Sequence, residues 1–357
     1  VIAGSLERIW YSDARPPWLL RLPAAAFGVV VAARRRRFAQ GSRAVTCLET
    51  PVIVVGNLSV GGTGKTPVVI ALVRALAERG LRCGVVTRGY GARSHRGVLL
   101  LEASAGGVQP DPALYGDEPA LISGATGVPV AVCIDRVAAA RALVERGVDV
   151  VISDDGLQHY RLGRSLELAV IDGARGLGNG ELLPAGPLRE PIARLREVDW
   201  IVLNGSPSRR CLDQLAAITP ARDVLRFELV AESAVALRVS ADGARQQRPL
   251  ASFAGSPVHA VAGIGHPARF FATLRAAGLD VIEHPFADHH AFTARDLQFD
   301  QPGEILMTEK DGVKCERLDG VAGWQVPVTP QFEPQGWQQL LAQIEAQARA
   351  PQMAPAH

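Results

Sequence analysis

Several large classes of protein are set aside by what this sequence lacks. Its five cysteines (Cys47, Cys83, Cys133, Cys211 and Cys315) are odd in number, scattered, and never spaced C-x-x-C. That argues against a disulfide framework or a cysteine zinc site and points to a reducing, cytosolic setting. Charge of one sign is also missing: the net charge is +2, so bulk charge predicts no nucleic-acid partner. Nor is there an apolar run of the roughly 20 residues a bilayer span requires. The nearest, 24–33, is interrupted on its approach by Arg21 and Pro23 and is followed by Arg34 to Arg37. A secretory signal would carry its positive charge before the apolar run, not after it. There are no repeats and no low-complexity segments.

What the sequence does contain is centred on 51–66, PVIVVGNLSVGGTGKT. A buried apolar strand at 52–55 runs into a glycine-rich turn that ends in Gly64-Lys65-Thr66, and a helical pattern follows from Pro67 to Glu78. Strand, glycine loop, Lys-Thr and helix form the P-loop context. Gly61, Gly62 and Gly64 let backbone N–H groups close on phosphate oxygens without a Cβ in the way, and the helix N-terminus adds partial positive charge. The expected nucleotide-binding stretch is Ser59, Val60, Gly61, Gly62, Thr63, Gly64, Lys65 and Thr66, with Lys65 on the β/γ-phosphates and Thr66 on Mg²⁺. Ser59 stands where the strict pattern has glycine.

The length of 357 residues implies two domains, because single cores rarely grow past roughly 250–300 residues. Residues 1–46 combine Trp10, Tyr11, Trp18 and several leucines with the short apolar run and the arginine block. Those are the ingredients of an interfacial anchor on an anionic leaflet, or else of a helix packed on the protein with solvated arginines. Over 47–222 strands alternate with helices, at 83–87, 128–134, 148–153, 166–171 and 199–203, with a helix at 136–146. Such alternation predicts a P-loop-type, mostly parallel α/β sheet with ligands at the carboxyl ends of its strands. A smaller α/β domain is expected over 223–334, entered through a hairpin of strands 224–230 and 234–240. A C-terminal helix at 335–350 and a tail at 351–357 complete the chain.

Several strand ends carry charge. Ser153-Asp154-Asp155 ends an apolar strand in a carboxylate pair, as a Walker-B-type Mg²⁺ site requires, or forms a polar turn. Asp117-Glu118 opens a helix, where acids also stabilise the helix dipole. Arg136 follows Ile134-Asp135, and Arg189 sits in the Pro/Gly-rich loop 183–190, where it could equally be a surface ion pair. Asp288-His289-His290 in the second domain suits proton traffic near neutral pH, with a metal pair or plain loop polarity as alternatives.

Eight stretches in order, VGNLSVGGTGKTP, TRGYGAR, GDEP, CIDR, SDDGLQH, LLPAGPLREP, FADHHAF and MTEKDGVK, cover about 52–314. Together they resemble the tetraacyldisaccharide 4'-kinase family, whose P-loop commonly begins with Ser or Thr, so Ser59 is no departure from it. The resemblance implies transfer of the ATP γ-phosphate, with Mg²⁺, to the 4'-hydroxyl of a tetraacylated glucosamine disaccharide 1-phosphate. It also implies peripheral attachment to the cytoplasmic face of the inner membrane and no protein partner. Carried over, Asp117 and His289 form a catalytic dyad facing the sugar hydroxyl, with His289 preferred to His290. Lys65 and Asp155 assist them, Thr66, Glu118 and Asp154 manage Mg²⁺, and Tyr90, Arg136, His159 and Arg189 hold the glycolipid.

Three other readings are weighed against specific residues. A partition-type ATPase carries a lysine where this chain has Val60, and a regulatory GTPase needs an Asn-Lys-x-Asp reader although no Asn-Lys dipeptide exists. A P-loop kinase of a soluble metabolite has no use for the N-terminal apolar and arginine segment.

Overall fold

Two stacks of strands and helices meet along one face, and Asp117 and His289 touch where they meet. A computed structural model describes residues 2–12, 14–89, 97–102, 111–219, 224–239 and 245–350. Tyr90 and the 351–357 tail lie outside them.

The chain begins with helices α1 (Ile2–Trp10) and α2 (Trp18–Ala39). Strand β1 (Val52–Gly56), α3 (Lys65–Glu78), β2 (Cys83–Thr87), β3 (Leu99–Leu101), α4 (Pro112–Tyr115) and α5 (Asp117–Thr126) follow. Next come β4 (Val130–Val132), α6 (Arg136–Val144), β5 (Val150–Asp154), β6 (Leu166–Asp172), β7 (Trp200–Asn204), α7 (Arg209–Ile218) and β8 (Val224–Val230). The remainder is β9 (Ser233–Val239), β10 (Arg245–Pro249), β11 (Val258–Ala262), α8 (Pro267–Ala276), β12 (Val281–Pro285), β13 (Glu304–Thr308), α9 (Glu309–Cys315), β14 (Trp324–Val326), β15 (Thr329–Phe332) and α10 (Pro334–Arg349).

Among the described residues the larger sheet runs β15-β8-β7-β6-β1-β5-β2-β4-β3, parallel except for its edge strands β15 and β3. β1 lies at its centre between β5 and β6, and Val55 is in register with Asp154. The central strands are buried on both faces, which is why they read as unbroken apolar runs. On one face α3, α5 and α10 bury residues such as Leu72, Ile122 and Ile344, and on the other α6 and α7 bury Leu143 and Leu215. Each such leucine or isoleucine contributes roughly 1.5–3 kcal/mol of burial energy.

The smaller sheet runs β10-β9-β14-β13-β11-β12, with α8 over one face and α9 toward the other. Val313 of α9 belongs to the apolar cluster of the larger sheet, so α9 is shared between the two stacks. The expected hairpin of 224–230 and 234–240 is not formed. β8 pairs with β7 and β15 in the larger sheet, whereas β9 pairs with β10 and β14 in the smaller one. The alternating pattern of β8, with Leu225 and Phe227 turned inward, fixes its faces but not its partner, and the chain changes sheets across Ala231-Glu232.

α2 is a 22-residue helix, longer than the apolar run alone predicts, and it continues through Pro23 and the arginine block. Ala24 and Val31 face inward, while Trp18, Leu19, Leu22, Val29 and Val30 are each at least 63% exposed. No helix among the described residues is long and apolar enough to cross a membrane.

Candidate active site

The loop 57–64 forms a cradle at the carboxyl end of β1. Its entry is pinned by the 183–190 loop: the Val60 N–H donates to Pro187 O (2.9 Å) and the Arg189 N–H to Leu58 O (2.7 Å), with Ser59 bridged to Leu188. Gly61 and Gly62 are exposed, Thr63 is buried, and Gly61 and Gly64 take positive φ of 98° and 94°. A Cβ on Gly64 would lie 2.5 Å from Asn204 Nδ2, so glycine is required there for space as well as conformation. Lys65 and Thr66 occupy the first turn of α3, which places the Thr66 hydroxyl beside the cradle.

The carboxylate pair lies next to it. Lys65 Nζ is 3.7 Å from Asp155 Oδ1, and Arg189 donates to both Asp155 oxygens at 2.9 Å. Those cations outweigh burial and hold the Asp155 carboxyl well below its ordinary range. Asp155 is held at φ 48°, a left-handed conformation that costs about 1–3 kcal/mol in a non-glycine residue and recurs at functional sites. Asp154 is the opposite case. It is 1% exposed, its Oδ1 has no hydrogen-bond partner, and burial together with the Glu118 charge raises its pKa to about 7.

Fully buried Glu190 fixes the loop that carries Arg189. It accepts hydrogen bonds from Tyr160 and Gln158, and Arg194 lies 3.8 Å away. Arg136, expected at the substrate, is 4% exposed. Its guanidinium donates to Ser153 Oγ (3.0 Å) and to the Asp154 carbonyl, at the end of β5. His159 is half-buried, and burial and Arg136 lower its pKa to about 4, so at neutral pH it is an uncharged donor or acceptor and no cation for phosphate.

On the far side of the cleft the smaller sheet contributes a second cluster. His289 Nδ1 is 3.1 Å from Asp117 Oδ2, across 172 residues of sequence. His290 instead pairs with Asp296 at 3.3 Å. Lys310 Nζ lies 3.4 Å from both His289 Nε2 and Glu118 Oε1, and Lys314 Nζ lies 3.5 Å from Asp117. In the tautomer whose Nδ1–H donates to Asp117, His289 Nε2 keeps a lone pair that faces the Lys310 ammonium, with Asp288 Oδ2 3.9 Å from the same nitrogen. Burial alone would raise the Asp117 carboxyl, but His289, Lys314 and Lys310 outweigh it and hold it below the usual carboxylate range. Burial likewise opposes the Lys310 charge, and Glu118, Asp288 and Asp117 more than offset it. His289 too is left-handed, at φ 60°.

Lys310, Asp311 and Lys314 are site residues that side-chain reasoning on the sequence passes over. The available signal was two lysines four apart, on one face of a helix directly after a strand end. Asp311 is fully buried and anchors them: it accepts from Gly263 N–H (2.7 Å), Thr308 Oγ1 (2.6 Å) and Lys314 (2.9 Å).

Residues 16–345 match the family described as tetraacyldisaccharide-1-P 4'-kinase. The chain belongs to the tetraacyldisaccharide 4'-kinase family. It is 49% identical to the tetraacyldisaccharide 4'-kinase of Alkalilimnicola ehrlichii over 92% of this chain and 94% of that one. To the Stenotrophomonas maltophilia protein of the same name it is 45% identical, over 94% and 95% respectively. Among solved structures it resembles Aquifex aeolicus LpxK in complex with ATP, with a TM-score of 0.70 and 27% identity over 91% of this chain and 98% of that one.

A kinase of this family implies Mg²⁺. No group of three or more His, Cys, Asp or Glu side chains able to hold a metal occurs among the described residues. Mg²⁺ bound with a nucleotide takes one or two carboxylates and completes its shell with phosphate oxygens and water. The unpartnered Asp154 Oδ1 is the fitting ligand. Mg²⁺ held by Asp154 would need its ionised form and so would compete with the proton below pH 7. Apparent Mg²⁺ affinity measured by calorimetry in the presence of ATP is expected to fall about tenfold per unit below pH 7 and to level off above it. Asp154→Asn should flatten this to the slope that free ATP itself shows toward Mg²⁺ over the same range; a slope as steep as wild type would take Asp154 out of the metal site.

Proposed function

We infer that the protein transfers the γ-phosphoryl group of ATP to the 4'-hydroxyl of a tetraacylated glucosamine disaccharide 1-phosphate, giving the 4'-phosphorylated lipid A precursor. Family membership over most of the chain carries this reading, and the cleft supplies the parts. In the reaction the 4'-oxygen bonds to the γ-phosphorus as the bond from that phosphorus to the oxygen of the departing ADP breaks, and the hydroxyl proton passes to the protein.

The 57–64 backbone and Lys65 hold the triphosphate from one side. Asp117 and His289, on the other, receive the proton. His289 Nε2 offers its lone pair once the Lys310 ammonium turns to Glu118, 3.4 Å from it, and Asp117 stabilises the imidazolium that forms, a role its depressed pKa favours. Such a pair contributes roughly 10²–10⁴-fold. Thr66 and Asp154 are the groups for Mg²⁺, with Glu118 nearby, and the ion would neutralise charge on the β- and γ-phosphates. Asp155 orients Lys65 and Arg189. Arg136 is reassigned to holding the strand end on which Asp154 and Asp155 sit. Arg189, His159 and Tyr90 remain the proposed contacts to the glycolipid.

The acceptor is a lipid, and the N-terminal helices give it a surface to arrive from. Trp18, Leu22 and Val29 fall on one outward stripe of α2, with exposed Arg36 and Arg37 near its end. A groove of about 480 Å³ between α2 and Glu181-Leu182 is lined by Trp18, Leu22, Ala25 and Gly28. An apolar stripe beside arginines suits peripheral attachment to an anionic leaflet, here the cytoplasmic face of the inner membrane. A dyad split between the two sheets would part if the sheets moved apart, so turnover would require them closed on the substrates, as the 3.1 Å contact has them.

Two measurements test these readings. With labelled ATP and tetraacyl disaccharide in mixed micelles, the wild type should make phosphorylated lipid, and Lys65→Ala and Asp117→Ala should each fall by at least about 10². ATP hydrolysis with the lipid untouched would leave the nucleotide site and remove the acceptor assignment. In vesicle flotation, Leu22→Glu with Val29→Glu should abolish binding to anionic vesicles while the variant stays folded; undiminished binding would remove α2 from the membrane contact.

A further inference from the structure

Two asparagines grip the phosphate loop from opposite sides, and each is oriented by an arginine. Asn57 Nδ2 lies 3.3 Å from Gly61 O and from Thr63 Oγ1, and Arg189 donates to its Oδ1. Asn204, at the end of β7, donates from Nδ2 to Thr63 O at 2.9 Å, and its Oδ1 accepts from Arg269 Nη2 at 2.8 Å. Both asparagines are fully buried. Arg269 is the residue from outside the larger sheet: it lies on α8, over the smaller one.

An arginine has donors and no acceptor, so it fixes which end of each amide faces the loop. Without Arg269, the Asn204 amide could rotate and turn an oxygen toward the Thr63 carbonyl. A planar trans peptide points its C=O and its N–H in opposite directions. Pinning the Thr63 carbonyl on Asn204 therefore turns the Gly64 N–H the other way, into the cradle where phosphate oxygens bind. Space reinforces the arrangement. A Cβ on Gly64 would meet Asn204 Nδ2 at 2.5 Å, and one on Gly205 would meet Arg269 Nη2 at 3.1 Å. Arg269 is held in turn by Asp172, 3% exposed at the end of β6, whose Oδ2 is 3.0 Å from Nη1. Nearby, a Cβ on Gly265 of the smaller sheet's loop would lie 3.3 Å from the Gly62 nitrogen.

We propose that Arg269 is a positioning residue for ATP: through Asn204 it orients the Thr63–Gly64 peptide, and it makes nucleotide affinity depend on docking of the smaller sheet. This rests on the ATP-site reading above and extends it to a residue that does not line the phosphate cradle. One consequence is order. A chain whose smaller sheet is displaced should bind ATP weakly, so nucleotide affinity and assembly of the Asp117–His289 pair rise together.

The test is a double-mutant cycle on the full chain, with ATP affinity read by calorimetry in Mg²⁺ and turnover read in mixed micelles. Arg269→Ala and Asn204→Ala should each weaken ATP about tenfold, the scale of a hydrogen bond to a charged group. The double variant should be no weaker than Asn204→Ala within about twofold, since Arg269 acts through that amide. KM for ATP should rise in Arg269→Ala while KM for the disaccharide stays within about twofold, and Arg269→Lys should recover most of the loss. If Arg269→Ala does not fold, Arg269→Gln carries the test, because a glutamine amide can flip and leaves Asn204 unoriented. ATP affinity within twofold of wild type in these variants, or losses that add in full, would overturn the proposal. A wild type that does not bind ATP would instead overturn the nucleotide reading.

Discussion

The hydrogen bond between His289 and Asp117 joins the two sheets at the point where chemistry is needed. Asp117 opens α5 of the larger sheet, and His289 sits in the loop after β12 of the smaller one. Neither sheet holds both halves of the proposed proton acceptor. The surrounding lysines make the pair usable: with Lys310 and Lys314 alongside, Asp117 stays ionised although it is largely buried. Two strained residues, Asp155 and His289, mark the two walls of the cleft, and the packing around each must sustain that conformation.

Charge is graded across the cleft. Asp155 faces Lys65 and Arg189 and is strongly ionised, whereas Asp154, one residue earlier, is buried with Glu118 near it and titrates near neutrality. Two adjacent carboxylates thus have different tasks set by surroundings alone. One is paired with Lys65 and with Arg189 of the 183–190 loop; the other has an oxygen without a hydrogen-bond partner, the group proposed here for a divalent ion brought with the nucleotide.

The larger sheet was legible because its strands are buried on both faces and read as apolar runs: β2 falls at 83–87 as expected, and β1, β5, β6 and β7 lie within two residues of expectation. The phosphate loop was legible for the same local reason, a glycine pattern between a strand and a helix. Partner choice was not, since β8 and β9 alternate like a hairpin yet enter different sheets. Burial of a charged side chain was also hidden. Arg136 follows a strand end just as an exposed ligand would, and only packing puts it against Ser153. Lys310 and Lys314 sit in a stretch whose resemblance was noted, but their role depends on α9 lying against α5, a contact between segments about 190 residues apart in sequence.

The central claim is that Asp117 and His289 act as one unit contributed by both sheets. A double-mutant cycle on turnover tests it most directly, with Asp117→Ala, His289→Ala and the pair compared at saturating ATP and acceptor. The account predicts that the double variant is no slower than the slower single variant, within about threefold, because removing either residue disables the unit. Losses that multiply in full would show two independent contributions and contradict it.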